Sequence, residues 1–330
     1  MSRAVILAQR PVGMPTPADF AVVDTEVNDP AEGEIQVHNL CMSVDPYMRG
    51  RMVDRKSYVP PFQVGEILSG GCIGQVTQSA HPDFAVGDYV SSHHGWREDF
   101  TAPVAGIEKL GSIVAPPSAY LGAIGMPGMT AYVGLLEVGA LQDGETVFVS
   151  GAAGAVGSIA GQIAKLRGCR VVGSAGSDSK VAWLTEELGF DAAFNYKGAN
   201  VLEQLRQCAP EGLDVYFDNV GGDHLQAAIT HMRPFGRIPL CGAISMYNDV
   251  EPPPGPNNLT MAIGLGLTLR GFIVSHFAHL QPDFRRDMEA WVTSGAIKYE
   301  ETVFEGIEHA ADAFIGLFTG VNTGKMIVNF

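Results

Sequence analysis

The sequence has few charged residues, few cysteines and no long apolar run. Charged residues make up 17% of the 330 residues, and 21 basic against 36 acidic side chains give a net charge of −15. An acidic surface repels polyanions, which argues against nucleic acid as a partner. The five cysteines are odd in number and widely spaced, so we expect no disulfide framework and a reducing, cytoplasmic setting.

No segment is typical of a secreted or membrane protein. The apolar run at residues 4–8 is too short for a signal peptide and is interpreted as a first strand. The run at residues 261–269 is too short to span a bilayer and ends at Arg270. Apolar residues make up 46% of the chain, enough for a sizeable core, and the length favours two domains. We therefore expect no membrane partner.

The first part of the chain, up to about residue 124, has the pattern of a β domain. Short apolar runs at residues 4–7, 34–40, 71–76 and 87–91 alternate with joints rich in proline or glycine. No strong helical periodicity interrupts them. The pattern predicts a small, irregular, barrel-like β domain.

From about residue 125 the pattern changes to alternating strands and helices. The predicted strands are residues 146–149, 170–173, 192–196, 213–218, 237–241 and 268–274. The predicted helices are residues 129–138, 155–166, 179–188, 201–208, 224–232 and 283–294. This alternation predicts an α/β fold with a doubly wound parallel sheet. A last strand at residues 325–330 is expected to return to the first domain, which gives domains of 1–124, 125–298 and 299–330.

A glycine-rich turn joins the first strand of the α/β region to the helix that follows it. Residues 150–157 read Ser-Gly-Ala-Ala-Gly-Ala-Val-Gly. Gly154 would let the backbone approach a pyrophosphate, Gly157 would let the helix pack closely, and the helix amides would bind the phosphates. Ala152 takes the place of the first glycine in the usual pattern. A turn that binds nothing is the alternative, disfavoured by the strand–helix units that follow.

The end of the second predicted strand bears on the choice between NAD and NADPH. An NAD enzyme usually carries an acidic residue here, whereas Gly176 and Ser177 are small and leave room for a 2′-phosphate. Lys180 would pair with that phosphate, although it also fits an ordinary surface lysine. Asp178 is the competing signal, and we interpret Ser177 or Asp178 as the cap of the next helix. NADPH is favoured.

Metal ligands at a suitable spacing are lacking. The cysteines do not form a close set of four, and His93-His94 is the only adjacent histidine pair. Adjacent residues on a strand point to opposite faces, so the pair is interpreted as part of a polar turn. We expect no bound metal, which means that another group must stabilise a developing oxyanion.

Four further segments are distinctive: DPYMRGRM at 45–52, GMPGMTAY at 125–132, DNVGG at 218–222 and CGAISMYN at 241–248. With the glycine-rich turn they resemble, over nearly the whole chain, one branch of the medium-chain dehydrogenase/reductases. That branch holds the leukotriene 12-hydroxydehydrogenase/prostaglandin reductases, the plant alkenal double-bond reductases and the bacterial curcumin reductases. The resemblance implies a GroES-like β-rich domain, a Rossmann domain, NADPH and a homodimer. It also implies no zinc, because Gly65-Glu66 lacks the histidine of zinc-bearing relatives.

The resemblance also implies a set of cofactor-binding residues. The pyrophosphate would be bound by Ala152, Ala153, Gly154, Ala155, Val156 and Gly157, and the 2′-phosphate by Lys180 and Tyr196. The ribose and nicotinamide would be lined by Met126, Thr130, Asn219, Cys241, Gly242, Ser245 and, from the sixth strand, Phe272 and Val274. Asn322 would reach the cofactor from the tail. Ser150-Gly151 and Ser275-His276-Phe277 depart from the family pattern and leave the substrate pocket undefined.

The family reaction is reduction of the carbon–carbon double bond of an α,β-unsaturated ketone or aldehyde. Hydride would add to the β-carbon, and the enolate oxygen would then need a donor, the ribose 2′-hydroxyl oriented by Tyr247. Tyr47 would line the opposite wall as a second donor. Position alone would make Tyr247 a surface tyrosine, and the motif reverses that interpretation. A zinc-free NADPH quinone reductase and a non-catalytic NADPH-binding redox sensor stay open as alternatives.

Overall fold

The computed structural model describes residues 2–330, which form two compact units. The first unit contains the chain up to Leu121 together with Glu301–Asn322 and Met326–Phe330. The second unit contains Gly122–Glu300 and Thr323–Lys325. The chain therefore passes from one unit to the other four times, and neither unit is one continuous segment.

Strands dominate the first unit, and strands alternate with helices in the second. In chain order the strands of residues 2–330 are β1 (Ser2–Leu7), β2 (Phe20–Thr25), β3 (Glu34–Ser43), β4 (Cys72–Ser79), β5 (Tyr89–Ser92), β6 (Asp99–Pro103), β7 (Glu108–Lys109), β8 (Thr146–Val149), β9 (Arg170–Ala175), β10 (Ala192–Asn195), β11 (Leu213–Phe217), β12 (Met232–Leu240), β13 (Thr268–Gly271), β14 (Glu301–Glu305) and β15 (Lys325–Asn329). The helices are α1 (Met48–Arg51), α2 (Met126–Val133), α3 (Ala155–Leu166), α4 (Asp178–Ala182), α5 (Val201–Cys208), α6 (Gly222–His231), α7 (Met261–Leu265), α8 (Gln281–Ser294) and α9 (Ala310–Thr319).

The first unit is built on a seven-stranded sheet in the order β14-β15-β3-β4-β5-β7, with β6 also paired to β3. Strands β1 and β2 form a separate antiparallel pair. The long strand β3 alternates buried and partly exposed residues, so that Ile35 and Val37 enter a core cluster. The β-rich first domain predicted from the sequence is confirmed.

The second unit contains a six-stranded parallel sheet in the order β10-β9-β8-β11-β12-β13. The chain first moves outward from β8 to β10 and then resumes on the other side of β8 at β11. Right-handed crossovers place the helices of these two halves on opposite faces. Helix α2 accordingly packs on α3 and α8, whereas α5 packs on α6. The doubly wound sheet predicted from the sequence is confirmed.

The predicted end of the sixth strand is wrong. The sequence predicts a strand at residues 268–274, but β13 ends at Gly271 because its partner β12 ends at Leu240, the residue paired with Gly271. Phe272 follows the strand, and Val274 begins a 3₁₀ helix, Val274–Leu280. Phe272 and Val274 therefore do not lie on the sixth strand as the resemblance implied.

Two predicted helices finish in a different kind of turn from the expected α-helix. Helices α2 and α4 each continue into a single π-helical turn, at Gly134–Val138 and Trp183–Glu187. Helix α9, which lies between β14 and β15, was not predicted. Within residues 2–330, every helix is too short or too polar to cross a bilayer.

Candidate functional site

The glycine-rich turn follows β8 and leads directly into α3. Gly151 adopts a φ of 57°, in the left-handed region that favours glycine, so the tight turn is made by Gly151 while Ala152 carries a side chain. Gly154 occupies the N-cap of α3 and provides no side-chain cap. The first-turn amides, including those of Ala155 and Val156, have no intrahelical acceptor. The turn therefore presents free amides and the positive helix end to an anion.

Close packing restricts the glycine-rich turn to one shape. A Cβ on Gly157 would overlap the carbonyl oxygen of Gly151, so only glycine lets α3 start at this distance from β8. The C-terminal segment Thr323–Lys325, which we call the strap, also contacts the turn. The backbone N–H of Gly324 donates to the carbonyl of Ala153 at 2.8 Å. The strap thus fixes the outer edge of the turn.

The strap itself has no space for a side chain at its centre. Gly324 has a φ of 65°, and a Cβ there would overlap the carbonyl oxygen of Glu300. The same carbonyl accepts the N–H of Lys325 at 2.9 Å. Asn322 precedes the strap in the chain and belongs to the first unit.

Strand β9 ends without an acidic side chain, and a tyrosine stands beside the glycine that follows it. A Cβ on Gly176 would lie 3.1 Å from the hydroxyl oxygen of Tyr196. Ser177 accepts a hydrogen bond from the backbone N–H of Lys180 at 3.4 Å, which confirms that it caps α4. Asp178 accepts a hydrogen bond from Asn195 at 2.8 Å. The carboxylate that competed with the NADPH interpretation is therefore engaged by a neighbour.

Two lysines approach each other beside Tyr196. Burial, and then the positive charge of Lys197, lowers the pKa of Lys180. Neighbouring ammonium groups repel each other, and a phosphate dianion between them would relieve that repulsion. Lys197 was not predicted as a site residue. Its place directly after Tyr196, in Asn195-Tyr196-Lys197, was the signal that was missed.

A buried carboxyl group shapes the turn that follows β11. Asp218 is 1% exposed, and its Oδ1 accepts the hydroxyl of Tyr216 at 2.6 Å. It also accepts the backbone N–H groups of Val220 and Gly221 at 3.0 and 2.8 Å. Burial raises the pKa of Asp218 in spite of these donors. The result is a fixed turn at residues 218–222.

Asn219 is anchored to the end of β8. Its backbone N–H donates to Ser150 Oγ at 3.0 Å, and its side-chain Nδ2 donates to the carbonyl of Ser150 at 2.8 Å. Strands β8 and β11 are the pair between which the chain order reverses. Ligands of doubly wound sheets bind at this point. The structure therefore places Asn219 beside Ser150 at the reversal point of the sheet.

The segment after β12 folds onto the turn at residues 218–222. The backbone N–H groups of Cys241 and Gly242 donate to the carbonyl of Asp218 at 2.9 and 3.0 Å. Ser245 Oγ donates to the carbonyl of Val220 at 2.6 Å. Burial raises the pKa of Cys241 to about 12, so it remains a thiol at neutral pH.

Tyr247 turns back over this segment. Its hydroxyl oxygen accepts the backbone N–H of Ala243 at 3.2 Å, and a Cβ on Gly242 would lie 3.2 Å from the same oxygen. The side chain is half-buried. The contact with Ala243 uses a lone pair, so it does not use the hydroxyl proton. Tyr247 can therefore act as a fixed donor at this end of the site.

Three other predicted residues lie on or near α2 and β13. Thr130 Oγ1 donates to the carbonyl of Met126 at 2.7 Å, so its hydroxyl hydrogen is used within α2. Met126 is exposed at the start of that helix. Phe272 packs edge-on against Phe217 with ring centroids 6.4 Å apart. All three belong to the second unit.

Tyr47 belongs to the first unit, where it precedes α1. Its ring packs against a core cluster, and burial raises the pKa of its phenol far above the usual range. Arg51, one helical turn later, is close enough to oppose part of that shift. The Arg51 guanidinium is itself held by Ser69 Oγ at 3.1 Å and lies 3.9 Å from the ring centre of Phe62. Tyr47 is therefore a protonated donor at neutral pH.

Comparison with known proteins decides the family. Residues 3–110 match a profile described as the N-terminal domain of oxidoreductase, and residues 155–294 match one described as zinc-binding dehydrogenase. The NADPH-dependent curcumin reductase of Escherichia coli (strain K12) is 41% identical over 332 residues, with 99% of this chain and 96% of that protein covered. This chain belongs to the zinc-free reductase branch of the medium-chain dehydrogenase/reductases. The family named by the resemblance is confirmed.

Two further relatives of this medium-chain reductase extend the match. Prostaglandin reductase 1 of Bos taurus is 46% identical over 326 residues, with 96% of this chain and 95% of that protein covered. The crystal structure of CurA from Vibrio vulnificus in complex with NADPH superposes with a TM-score of 0.95 at 42% identity, covering 99% and 98% of the two chains. In residues 2–330 of the reductase, His, Cys, Asp and Glu side chains form no group of three or more that could hold a metal ion.

One buried histidine of the reductase lies beside the Tyr196 region. His224, on α6, is 5% exposed, and its ring lies edge-to-face with that of Tyr196 at a centroid distance of 5.2 Å. Its Nε2 has no hydrogen-bond partner in the part of the chain that the structure describes. Burial lowers the pKa of His224 to about 4 from its ordinary 6.5.

This histidine makes the stability of the reductase depend on pH. Between pH 6.5 and about 4 the unfolded chain binds a proton at His224 that the folded chain does not. The free energy of unfolding is therefore unaffected by His224 above pH 6.5. Below that pH it falls, by on the order of 3 kcal/mol at most, as the unfolded chain becomes protonated. We expect urea unfolding at pH 7 and pH 5 to show a smaller loss for His224→Phe than for the unmodified protein. Equal losses in the two proteins would contradict this assignment.

Proposed function

We propose that the protein reduces the carbon–carbon double bond of α,β-unsaturated ketones and aldehydes with NADPH. The observation that carries the proposal is the Tyr247 hydroxyl, held by the Ala243 amide over the segment that joins the residue 218–222 turn. A hydroxyl held there could donate to a reacting group bound near the reversal point of the sheet. The names of the curcumin reductase and of prostaglandin reductase 1 support the same chemistry.

Three parts of the second unit support the assignment of NADPH. The free amides of α3 suit the pyrophosphate. The Tyr196 hydroxyl beside Gly176, and Lys180 on the helix that follows, suit the 2′-phosphate. Asn219, fixed by Ser150, is the polar group that we assign to the nicotinamide amide. The NADPH named for the curcumin reductase and for the CurA complex is consistent with this assignment.

The proposed role of the chain's own residues is to stabilise the negative charge that develops on the substrate. NADPH, when bound, supplies the hydride from C4 of its nicotinamide. The substrate carbonyl oxygen then becomes negative and requires a hydrogen-bond donor. We assign that donor role to Tyr247, acting directly or by orienting a ribose hydroxyl. Tyr47 is the second donor, because burial keeps its phenol protonated.

The test is an assay with NADPH and a simple enone such as 4-phenyl-3-buten-2-one, followed by loss of nicotinamide absorbance. NADH with the enone and NADPH with a quinone serve as parallel reactions. Rapid loss with the saturated ketone as product is the expected result. Quinone turnover without enone turnover would replace the proposal with a quinone reductase. Bound NADPH without turnover in any reaction would replace it with a redox sensor.

Lys180→Ala should weaken the preference for NADPH over NADH. Loss of a charged donor to the 2′-phosphate is expected to raise KM for NADPH roughly 10- to 100-fold, with KM for NADH little changed. Steady-state kinetics with both cofactors measures the effect. Lys298→Ala is the control, because that lysine pairs with Glu187 at 3.2 Å. Equal changes in both KM values would mean that Lys180 does not contact the phosphate.

We further propose that the protein is a cytoplasmic homodimer. Strand β13 is the edge of its sheet, and the neighbouring α7 exposes Ile263 by 85%. An open strand edge beside exposed apolar side chains favours pairing with a second copy. Light scattering should therefore give twice the 35.1 kDa mass of the chain. The five cysteines are all free thiols, which suits a reducing compartment.

A further inference from the structure

A row of polar side chains lies near the carboxyl ends of three strands on one face of the parallel sheet. In the apolar layer just below the row, Phe148 is paired with Tyr216 on one side and with Val172 on the other. Ser174 is paired with Phe194. Paired residues of parallel strands share a face, and side chains return to it every second residue. Two residues further along, the same face carries the row Asp218, Ser150 and Ser174, with Phe194 paired to Ser174 and Tyr196 two residues beyond Phe194.

His224 of α6 contacts both Phe148 of the apolar layer and Tyr196. Its ring is nearly parallel to that of Phe148, with an interplanar angle of 11° and centroids 6.4 Å apart. It stands at 77° to the ring of Tyr196, with centroids 5.2 Å apart. The imidazole is therefore wedged between the apolar layer and the tyrosine.

Hydrogen bonding through Nε2 does not account for a histidine at position 224. That atom is buried and has no partner in residues 2–330, which is a costly arrangement. What the imidazole contributes to its surroundings is its ring, packed edge-to-face against Tyr196, a geometry that aromatic pairs prefer.

The backbone of Tyr196 is anchored, whereas its ring is in contact with the His224 imidazole. The residue is 37% exposed, and its backbone is tied to β9 by an N–H donated to the carbonyl of Ala175 at 3.1 Å. Its hydroxyl stands beside Gly176, next to the capped start of α4 that carries Lys180. Removal of the imidazole would open space beneath the phenol and let the ring turn away from Gly176.

We propose that His224 is a positioning residue for recognition of the cofactor 2′-phosphate. It holds the Tyr196 ring so that the phenol hydroxyl remains beside Gly176, and so it raises the preference for a 2′-phosphorylated nucleotide. The inference rests on the proposed use of NADPH but not on the reaction that NADPH serves.

The experiment compares two fragments of the cofactor, 2′,5′-ADP and 5′-AMP, by calorimetry. The ratio of their dissociation constants isolates the contribution of the 2′-phosphate without any turnover. His224→Ala is expected to reduce this ratio roughly threefold to tenfold, with 5′-AMP binding little changed. His224→Phe keeps an aromatic ring in place and should retain the ratio within about twofold. If His224→Ala does not fold, His224→Leu fills the space without an aromatic ring and carries the same expectation.

Two controls separate positioning from general damage to α6. His231→Phe removes a histidine from the same helix, one whose Nε2 bonds the carbonyl of Ala209 at 2.6 Å, and should leave the ratio unchanged. In a Tyr196→Ala background, His224→Ala should not reduce the ratio of dissociation constants any further, because its effect acts through the tyrosine.

The possible outcomes lead to different conclusions. An unchanged ratio in His224→Ala, or a loss in His224→Phe as large as that in His224→Ala, would overturn the inference. A ratio near unity in the unmodified protein would overturn the NADPH assignment with it. A protein that lacks enone turnover but shows the expected ratios would contradict only the proposed reaction.

Discussion

Replacement of Tyr247 by phenylalanine is expected to lower kcat for enone reduction about 100-fold, with a change of less than about threefold in KM for NADPH. The substitution removes one hydroxyl and keeps the ring. The hydroxyl oxygen accepts the Ala243 amide and lies beside Gly242, which holds the hydroxyl in place and leaves its proton available. A donor of this kind acts on charge that exists only as the reaction proceeds, so its loss affects turnover more than binding. Single-turnover measurement of NADPH oxidation gives the effect on the chemical step.

Tyr132→Phe is the matched control for this prediction. It also removes a tyrosine hydroxyl from the second unit, but that hydroxyl donates to Asp287 at 2.9 Å and connects α2 to α8. We expect its kcat to remain close to that of the unmodified protein. Full turnover in Tyr247→Phe would show that the hydroxyl has no part in the reaction.

Gly324→Ala is expected to have the largest effect on stability, a loss on the order of 3 kcal/mol. Its φ of 65° is unfavourable for alanine, and the new methyl group would overlap the carbonyl oxygen of Glu300. The strap would then have to move, which would break the hydrogen bond from Gly324 to Ala153 in the glycine-rich turn. Thermal unfolding should show a fall of roughly 6–12 °C in Tm, and NADPH binding should weaken as well.

Gly189→Ala separates the two causes of that loss. Gly189 has a similar φ of 71°, but a Cβ there would meet nothing within 4 Å. It should therefore show only the cost of the left-handed backbone, about 1–2 kcal/mol, and normal NADPH affinity. If the two variants lost equal stability, the strap would not be packed against Glu300 as described.

The fold could be predicted where the deciding signal is local. The bounds of β8, α3 and α5 agree with those predicted from the sequence, because each has its own apolar pattern and its own terminating residues. The end of β13 could not be predicted in this way. The apolar run continues to Val274, but a strand ends where its partner ends, and the partner residue Leu240 is distant in the chain.

In the candidate site, too, features with a local signal could be predicted, and features that depend on distant contacts could not. The glycine-rich turn was predicted from its position between strand and helix, and the capping role of Ser177 from its residue type. The left-handed conformation of Gly151 depends on how closely α3 approaches β8, which no local pattern records. Lys197 could have been selected from its place directly after Tyr196. His224 contacts Tyr196 from a different element, so its spacing in the sequence offered no reason to select it.

The strap has a consequence for building chimeras from this family. Exchange of residues 122–300 for the matching segment of a relative would appear to transplant the second unit in one piece. It would leave behind Thr323–Lys325, which belongs to that unit and bonds its glycine-rich turn. The foreign turn would then meet a strap selected for another partner. A chimera that binds its cofactor well therefore needs these three residues to be exchanged together with the large segment.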